Sequence, residues 1–423
     1  MPPPPPSLRV RLAGLRDAGI GAGLAALVGA LAGTAGAGFL VALDVVTAAR
    51  FAQPWLIAAL PFAGVLMAWV YRVAGRDAER GSNLIIEQIH QPGGGVPLRM
   101  APLVLGSTLL THLCGGSAGR EGTAVQMGGA LAGGVQRALR LGPAHQSRLL
   151  SAGMAGGFGA VFGAPLAGAV FALEVLMRGR LTYRWLGPCL VAGFVGDRVC
   201  IAWGVHHADF RALAGLGDLA ATPGLVVLAK AAVIGLACGL CARLFVAATH
   251  GVAKGLEHGV SKWWLRPMLG GAAVGGLAWL LGTDAYLGLG AWSPDATDPT
   301  LETVFKAGGT EPWSWLAKLG FTALTLGAGF KGGEVTPLFF IGAALGNALA
   351  SPLGMSVALG AALGFVALFA GASKTPLACT LLAMELFGGA QVGAFAVACF
   401  VSYLASGAAG IYAAQRRPEG EGD

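Results

Sequence analysis

Charge is scarce in this chain. Of its 423 residues only 12% are Asp, Glu, Lys or Arg, about half the share usual in soluble domains. So little polar surface cannot cover a water-soluble body of this size, and a mean hydropathy of +0.68 points the same way. Metal and redox chemistry is equally short of residues. The seven cysteines lie scattered in apolar runs. Cys238 and Cys241 have C-x-x-C spacing inside AVIGLACGLCARLF, but without a second pair or a histidine at ligand spacing they read as small buried apolar residues. There is no H-E-x-x-H and no paired metal-ligand His or Cys set, so an enzyme is not expected, nor a metal or a cofactor. No cleavable signal peptide is evident; MPPPPPSLRVRLAGLRD reads as a Pro-rich basic tail.

Glycine is abundant, at 70 residues, among 55% apolar residues. Disorder needs low hydrophobicity, so it does not explain this excess. Glycine between apolar residues lets membrane helices approach closely and lets a helix break where a cavity needs exposed backbone. The net charge of +7 does not imply nucleic acid. The basic residues sit in short clusters between apolar stretches: Arg9, Arg11 and Arg16; Arg72, Arg76 and Arg80; Arg137, Arg140 and Arg148; Arg416 and Arg417. Loops on the cytoplasmic side carry this pattern, and both termini are expected there.

Apolar stretches run through the chain at uneven lengths, several too short to cross a ~30 Å hydrocarbon core upright. An internal repeat organises them. PLAGAVFALE, from Pro165 to Glu174, matches PLACTLLAME, from Pro376 to Glu385, 211 residues on; GREGT at Gly119–Thr123 matches GGEVT at Gly332–Thr336, 213 residues on. The expected organisation is a tail over 1–17, a first membrane repeat over 18–205, a polar connector over 206–222, a second repeat over 223–416 and a tail over 417–423. Repeats of this kind place their substrate near the midplane, on interrupted helices whose N-termini face it. Such N-termini attract anions, so an anion is the expected cargo.

The segments GSNLI at Gly81–Ile85, GREGT at Gly119–Thr123, GEVTP at Gly333–Pro337 and GIYAAQ at Gly410–Gln415 resemble the anion-binding segments of the CLC family of anion channels and anion/proton antiporters. The resemblance covers about residues 18 to 416. It implies an all-α polytopic fold, an inverted-topology repeat of many tilted, short and re-entrant helices, working as a homodimer in the lipid bilayer. GEVTP with an altered first segment resembles the branch that exchanges fluoride for protons. The inner glutamate of chloride/proton exchangers is Val175 here, as it is absent from the fluoride branch. Ser82 and the missing phenylalanines near Ile85 and Gln88 depart from that branch. The implied function is fluoride export coupled to protons across a bacterial inner membrane, with a chloride/proton antiporter or voltage-gated-type chloride channel as the alternative.

Glu121, an acid between two glycines in apolar sequence, is the first candidate for gating and proton transfer, because an intramembrane carboxylate is costly and functional by default. By resemblance Glu334, at the matching place of the second repeat, assists it. Anion contacts are expected from Gly119, Arg120, Gly122, Val335, Thr336 and Tyr412, and from one of Ser82 and Asn83. Tyr403 is a weaker candidate than Tyr412. Glu174 and Glu385 read as structural, each beside a polar loop, and His112 as a packed, hydrogen-bonded histidine.

Overall fold

The computed structural model describes residues 8–215 and 223–417, with side chains from residue 19 onward. The outermost parts of both expected tails, the end of the connector and the side chains of Arg9, Arg11 and Arg16 lie outside the described residues. Sixteen α-helices and no strand occur among the described residues. The first half holds α1 (Leu8–Ala52), α2 (Leu60–Ala74), α3 (Ser82–His90), α4 (Met100–Leu113), α5 (Glu121–Ala138), α6 (Pro143–Phe162), α7 (Pro165–Glu174) and α8 (Leu186–Ala202). A short α9 (Phe210–Ala214) lies in the connector. The second half holds α10 (Leu225–Gly259), α11 (Leu265–Leu281), α12 (Ser314–Gly327), α13 (Val335–Ala350), α14 (Val357–Ser373), α15 (Pro376–Phe387) and α16 (Val392–Ala405).

Among the described residues four segments are long and apolar enough to cross a membrane: Gly19–Ala52, Pro54–Ala74, Tyr183–Ala202 and Leu225–Gly259. Others, such as α13 at 16 residues, reach only about 24 Å at 1.5 Å per residue, and so end within a hydrocarbon core. Phe62, Trp279 and Leu404 stand exposed on the surface of the chain.

Glycine sets the closest helix contacts, and it does so twice. In the first half α5 packs on α6, where a Cβ on Gly128 would overlap the carbonyl oxygen of Gly153. In the second half α13 packs on α14, where a Cβ on Gly342 would overlap the carbonyl oxygen of Gly364. Backbones this close give van der Waals packing without help from water, which is what membrane helices rely on.

The two matched PLA helices clasp each other. Glu385, near the end of α15, accepts from the Leu166 and Ala167 N–H groups at the start of α7, at 2.9 and 2.7 Å. Glu174, at the end of α7, accepts from Leu377 and Ala378 at the start of α15, at 3.0 and 2.7 Å. Each carboxylate thus satisfies two orphan donors at the positive end of the other helix. Their place is therefore on a helix start of the opposite repeat and not beside a polar loop. A residue-by-residue pattern within one half gives no sign of a partner lying in the other.

Candidate functional site

GREGT and GGEVT meet. Gly119 and Gly333 form an isolated antiparallel bridge, with Gly119 N–H donating to Gly333 at 2.5 Å and Gly333 N–H to Gly119 at 2.8 Å. A Cβ on Gly119 would stand 2.9 Å from the Gly333 oxygen, and one on Gly333 would stand 2.8 Å from the Gly122 nitrogen. The glycines of both motifs are needed because two backbones pass where no side chain fits. The bridge brings the starts of α5 and α13 together. Hydroxyls brace the loops behind it: Ser117 Oγ lies 2.9 Å from Thr322 Oγ1, and Thr111 donates to the Lys331 carbonyl at 2.7 Å.

Glu121 opens α5 and is 1% exposed. Its Oε2 accepts from the Thr336 hydroxyl at 2.5 Å and from the Thr336 N–H at 3.1 Å. Thr336 lies in the first turn of α13, so the carboxylate of one repeat rests on the helix start of the other. Arg120 contributes less: its Nε and its backbone N–H both stand 3.4 Å from the Glu121 carboxylate, too far for a strong ion pair. A cavity of about 270 Å³ reaches Glu121, Arg120 and Thr336, walled by Phe162, Phe339 and His207 among others.

Glu334 precedes α13 as its N-cap residue without capping it through its side chain. It is half-buried, and a Cβ on Gly122 would lie 3.6 Å from its Oε2. The two glutamates therefore sit across the Gly119–Gly333 bridge from one another. Val335 is buried beside it.

Tyr412 is buried, with its ring 6.2 Å from that of Phe171. A row of phenylalanines joins this tyrosine to the cavity at Glu121. Phe162 and Phe339 are 5.0 Å apart by ring centroid, Phe339 and Phe369 5.3 Å, and Phe369 and Phe171 5.9 Å. Tyr403 lies elsewhere, on α16, its ring beneath the Lys374 ammonium.

The segment carrying Tyr412 has no helix of its own and is held by its neighbours. Ile411 N–H donates to Ala372 at 2.9 Å, and Gln415 Nε2 to Ser373 at 2.8 Å. Lys374 donates to the Ser406 hydroxyl and to the Gly407 carbonyl, both at 2.6 Å. Asn83 Oδ1 accepts from the Ala414 N–H at 3.0 Å. The Asn83 amide oxygen is thus occupied by backbone, whereas the half-buried Ser82 hydroxyl has no hydrogen-bond partner among the described residues. Gly81, at φ +53°, turns the chain into α3 beside Gln126 of α5, whose Oε1 would lie 2.9 Å from a Cβ there. Sequence reasoning missed Gln126, Lys374, Gln415 and the phenylalanine row; apolar context hides the phenylalanines, and only the charge of Lys374 within an apolar run was a visible signal.

His112 bears out its packed reading: its Nδ1 lies 2.8 Å from the Thr108 carbonyl and its Nε2 3.1 Å from the Ala118 carbonyl. No group of three or more potential metal ligands occurs among the described residues.

Comparison with known proteins places this arrangement. Residues 63–407 match the family described as voltage gated chloride channel. The chain is 46% identical over 399 residues to a chloride/fluoride channel protein of Pseudomonas syringae pv. tomato, covering 93% of this chain and 85% of that one. It is 30% identical over 401 residues to a putative chloride channel protein ClcB-like of Ralstonia nicotianae, covering 87% of each. Among solved structures, a CLC-type fluoride/proton antiporter superposes with a TM-score of 0.89 at 33% identity, over 95% of this chain and 99% of that one. A slow cyanobacterial Cl⁻/H⁺ antiporter shares the fold, with a TM-score of 0.74 at 20% identity, over 91% of this chain and 94% of that one. The chain is an integral membrane protein and belongs to the CLC family.

Proposed function

We propose that this protein is a fluoride/proton antiporter of a bacterial inner membrane, active as a homodimer. The observation that carries the reading is the hold of Thr336 on Glu121, through a hydroxyl and a backbone N–H together. Two donors converging on one carboxylate oxygen form an anion site filled by an anion on a tether. When Glu121 takes up a proton it loses the charge that binds it there, and a free anion of similar demand replaces it. Fluoride, small and strongly hydrated, needs short charge-assisted bonds in place of its water shell, and Thr336 supplies one where an apolar residue could not.

In this reading Glu121 is gate and proton carrier, and Glu334, across the glycine bridge, exchanges protons with it. Ser82 and Tyr412 offer hydroxyl donors along the anion path, and Asn83 serves by fixing the Tyr412 segment. Gly119, Gly122 and Val335 shape the site through their backbones, and Arg120 adds positive potential. The similarity to a fluoride/proton antiporter at 33% identity over nearly the whole chain supports fluoride. A chloride carrier is the competing reading, supported by the Ralstonia relative's description. Purified protein in liposomes, loaded with equal fluoride and chloride and read by ion-selective electrodes, decides between them. Fluoride efflux with opposed proton uptake is expected; equal chloride efflux would reject the fluoride assignment.

A further inference from the structure

One stripe of α2 changes character along its length. Phe62, Val65, Leu66 and Trp69 follow helical spacing and line an apolar groove with Trp263, Trp264 and Met268. Phe62, Leu66 and Trp69 are 68%, 49% and 53% exposed, so the groove faces outward. Three residues beyond Trp69 the same stripe reaches Arg72, and then Arg76. Both line a second cavity, of about 490 Å³, between the ends of α2, α10 and α12 and the start of α11.

That second cavity is basic. Arg72, Arg76, Arg266 and Lys331 line it against Glu79 and Glu257. Arg266 is engaged by the Val260 and Glu257 carbonyls, and Lys331 stands 4.7 Å over the Tyr71 ring. Arg72 lies 5.1 Å over the Trp263 ring, and Trp263 walls both cavities. The exposed guanidinium groups of Arg72 and Arg76 make no ion pair among the described residues. The charge pattern of the loops assigns this face to the cytoplasm.

An apolar groove running into a basic pocket is the shape of a phospholipid. From Phe62 to Arg72 the helix rises about 15 Å at 1.5 Å per residue, the depth of one leaflet of a ~30 Å hydrocarbon core. Basic pockets between helices on this side of a membrane recognise anionic headgroups. We propose that the α2–α11 edge is a site for one phospholipid with an anionic headgroup, its acyl chain along Phe62–Trp69 and its phosphate between Arg72 and Arg76. The site ends at Lys331, three residues before Glu334, so its occupant borders the transport machinery.

The test titrates detergent-purified protein with phosphatidylglycerol or phosphatidylcholine and follows the thermal unfolding midpoint. Phosphatidylglycerol is expected to raise the midpoint at lower concentration than phosphatidylcholine, and to stay bound in native mass spectra of the wild type. Arg72→Gln/Arg76→Gln should weaken the phosphatidylglycerol response roughly thirtyfold, from the electrostatic contribution of two basic residues at a membrane surface. Arg416→Gln/Arg417→Gln, a basic pair outside the lining of this cavity, should leave it unchanged. Equal responses to the two lipids, equal loss in both double variants, or a shift reproduced by inorganic phosphate would each overturn the site. If the Arg72/Arg76 variant does not fold, the wild-type mass spectra still decide: retention of phosphatidylcholine as readily as phosphatidylglycerol refutes the proposal.

Discussion

Thr336 offers the sharpest perturbation of the proposed site. Its hydroxyl bonds Glu121 at 2.5 Å, and the two residues are 2% and 1% exposed, so the bond is charge-assisted and shielded from water. Hydrogen bonds to charged groups contribute about 1.5–3 kcal/mol. Deleting the hydroxyl weakens the hold on Glu121 and on any anion that replaces it. Those two losses partly cancel in the competition between carboxylate and ion, so total transport need not collapse. The comparison between ions does not cancel. Chloride, larger and more weakly hydrated, gains less from a short donor than fluoride does. If the difference is about 1.4 kcal/mol, the preference falls tenfold. Thr336→Val keeps the volume and removes the donor, whereas Thr336→Ser keeps the donor. Efflux of both ions from the same liposomes should show a fluoride-to-chloride ratio reduced about tenfold in Thr336→Val and near wild type in Thr336→Ser. An unchanged ratio in Thr336→Val, with collapse in Ser82→Ala, would move the filter to the start of α3 and refute the placement.

Three further outcomes follow from the geometry. Glu121→Gln should abolish proton uptake driven by a fluoride gradient, since an amide neither takes nor releases the proton; uptake at the wild-type rate would leave Glu121 a structural residue. Glu385→Ala frees the Leu166 and Ala167 donors inside the protein and should lower stability by about 2–4 kcal/mol, with Glu174→Ala matching it, as read from denaturant unfolding in detergent; a loss under about 0.5 kcal/mol would show that the clasp is idle. Lys374→Met should loosen the Tyr412 segment and raise the KM for fluoride several-fold, and Tyr412→Phe added to it should cost less than it does alone; fully additive effects would mean that Lys374 does not act through Tyr412.

Much of this was legible because membrane burial makes polar residues informative. Glu121 stood out as an acid in apolar sequence, and the matched motifs pointed to two helix starts in one place. The repeat also paired Glu174 with Glu385, but did not show what they hold, since each caps a helix 203 to 219 residues away in the chain. Asn83 and Ser82 were indistinguishable in sequence because both are small polar residues at a helix start; only the position of Ala414 separates them. Helix number was ambiguous for a related reason. The apolar run over 335–371 holds α13 and nearly all of α14, and its break at Ser351–Ser356 carries no charge to mark a loop.

The protein uses one device three times among the described residues, a glutamate of one repeat set on a helix start of the other, and the differences separate Glu121, the proposed gate, from the other two. Glu174 and Glu385 each accept two backbone N–H groups through two oxygens, at 2.7–3.0 Å. Glu121 has a single backbone donor from the opposite helix, at 3.1 Å, and a hydroxyl that can turn to another acceptor. A cavity also reaches Glu121, so water or an ion has somewhere to stand when the carboxylate leaves. Fixed amide donors favour a carboxylate that stays, because no other group meets both at once. A rotatable donor beside open space favours one that exchanges. In the proposed mechanism the repeat therefore supplies the anion site, and Thr336 in place of a second backbone amide makes its occupant replaceable.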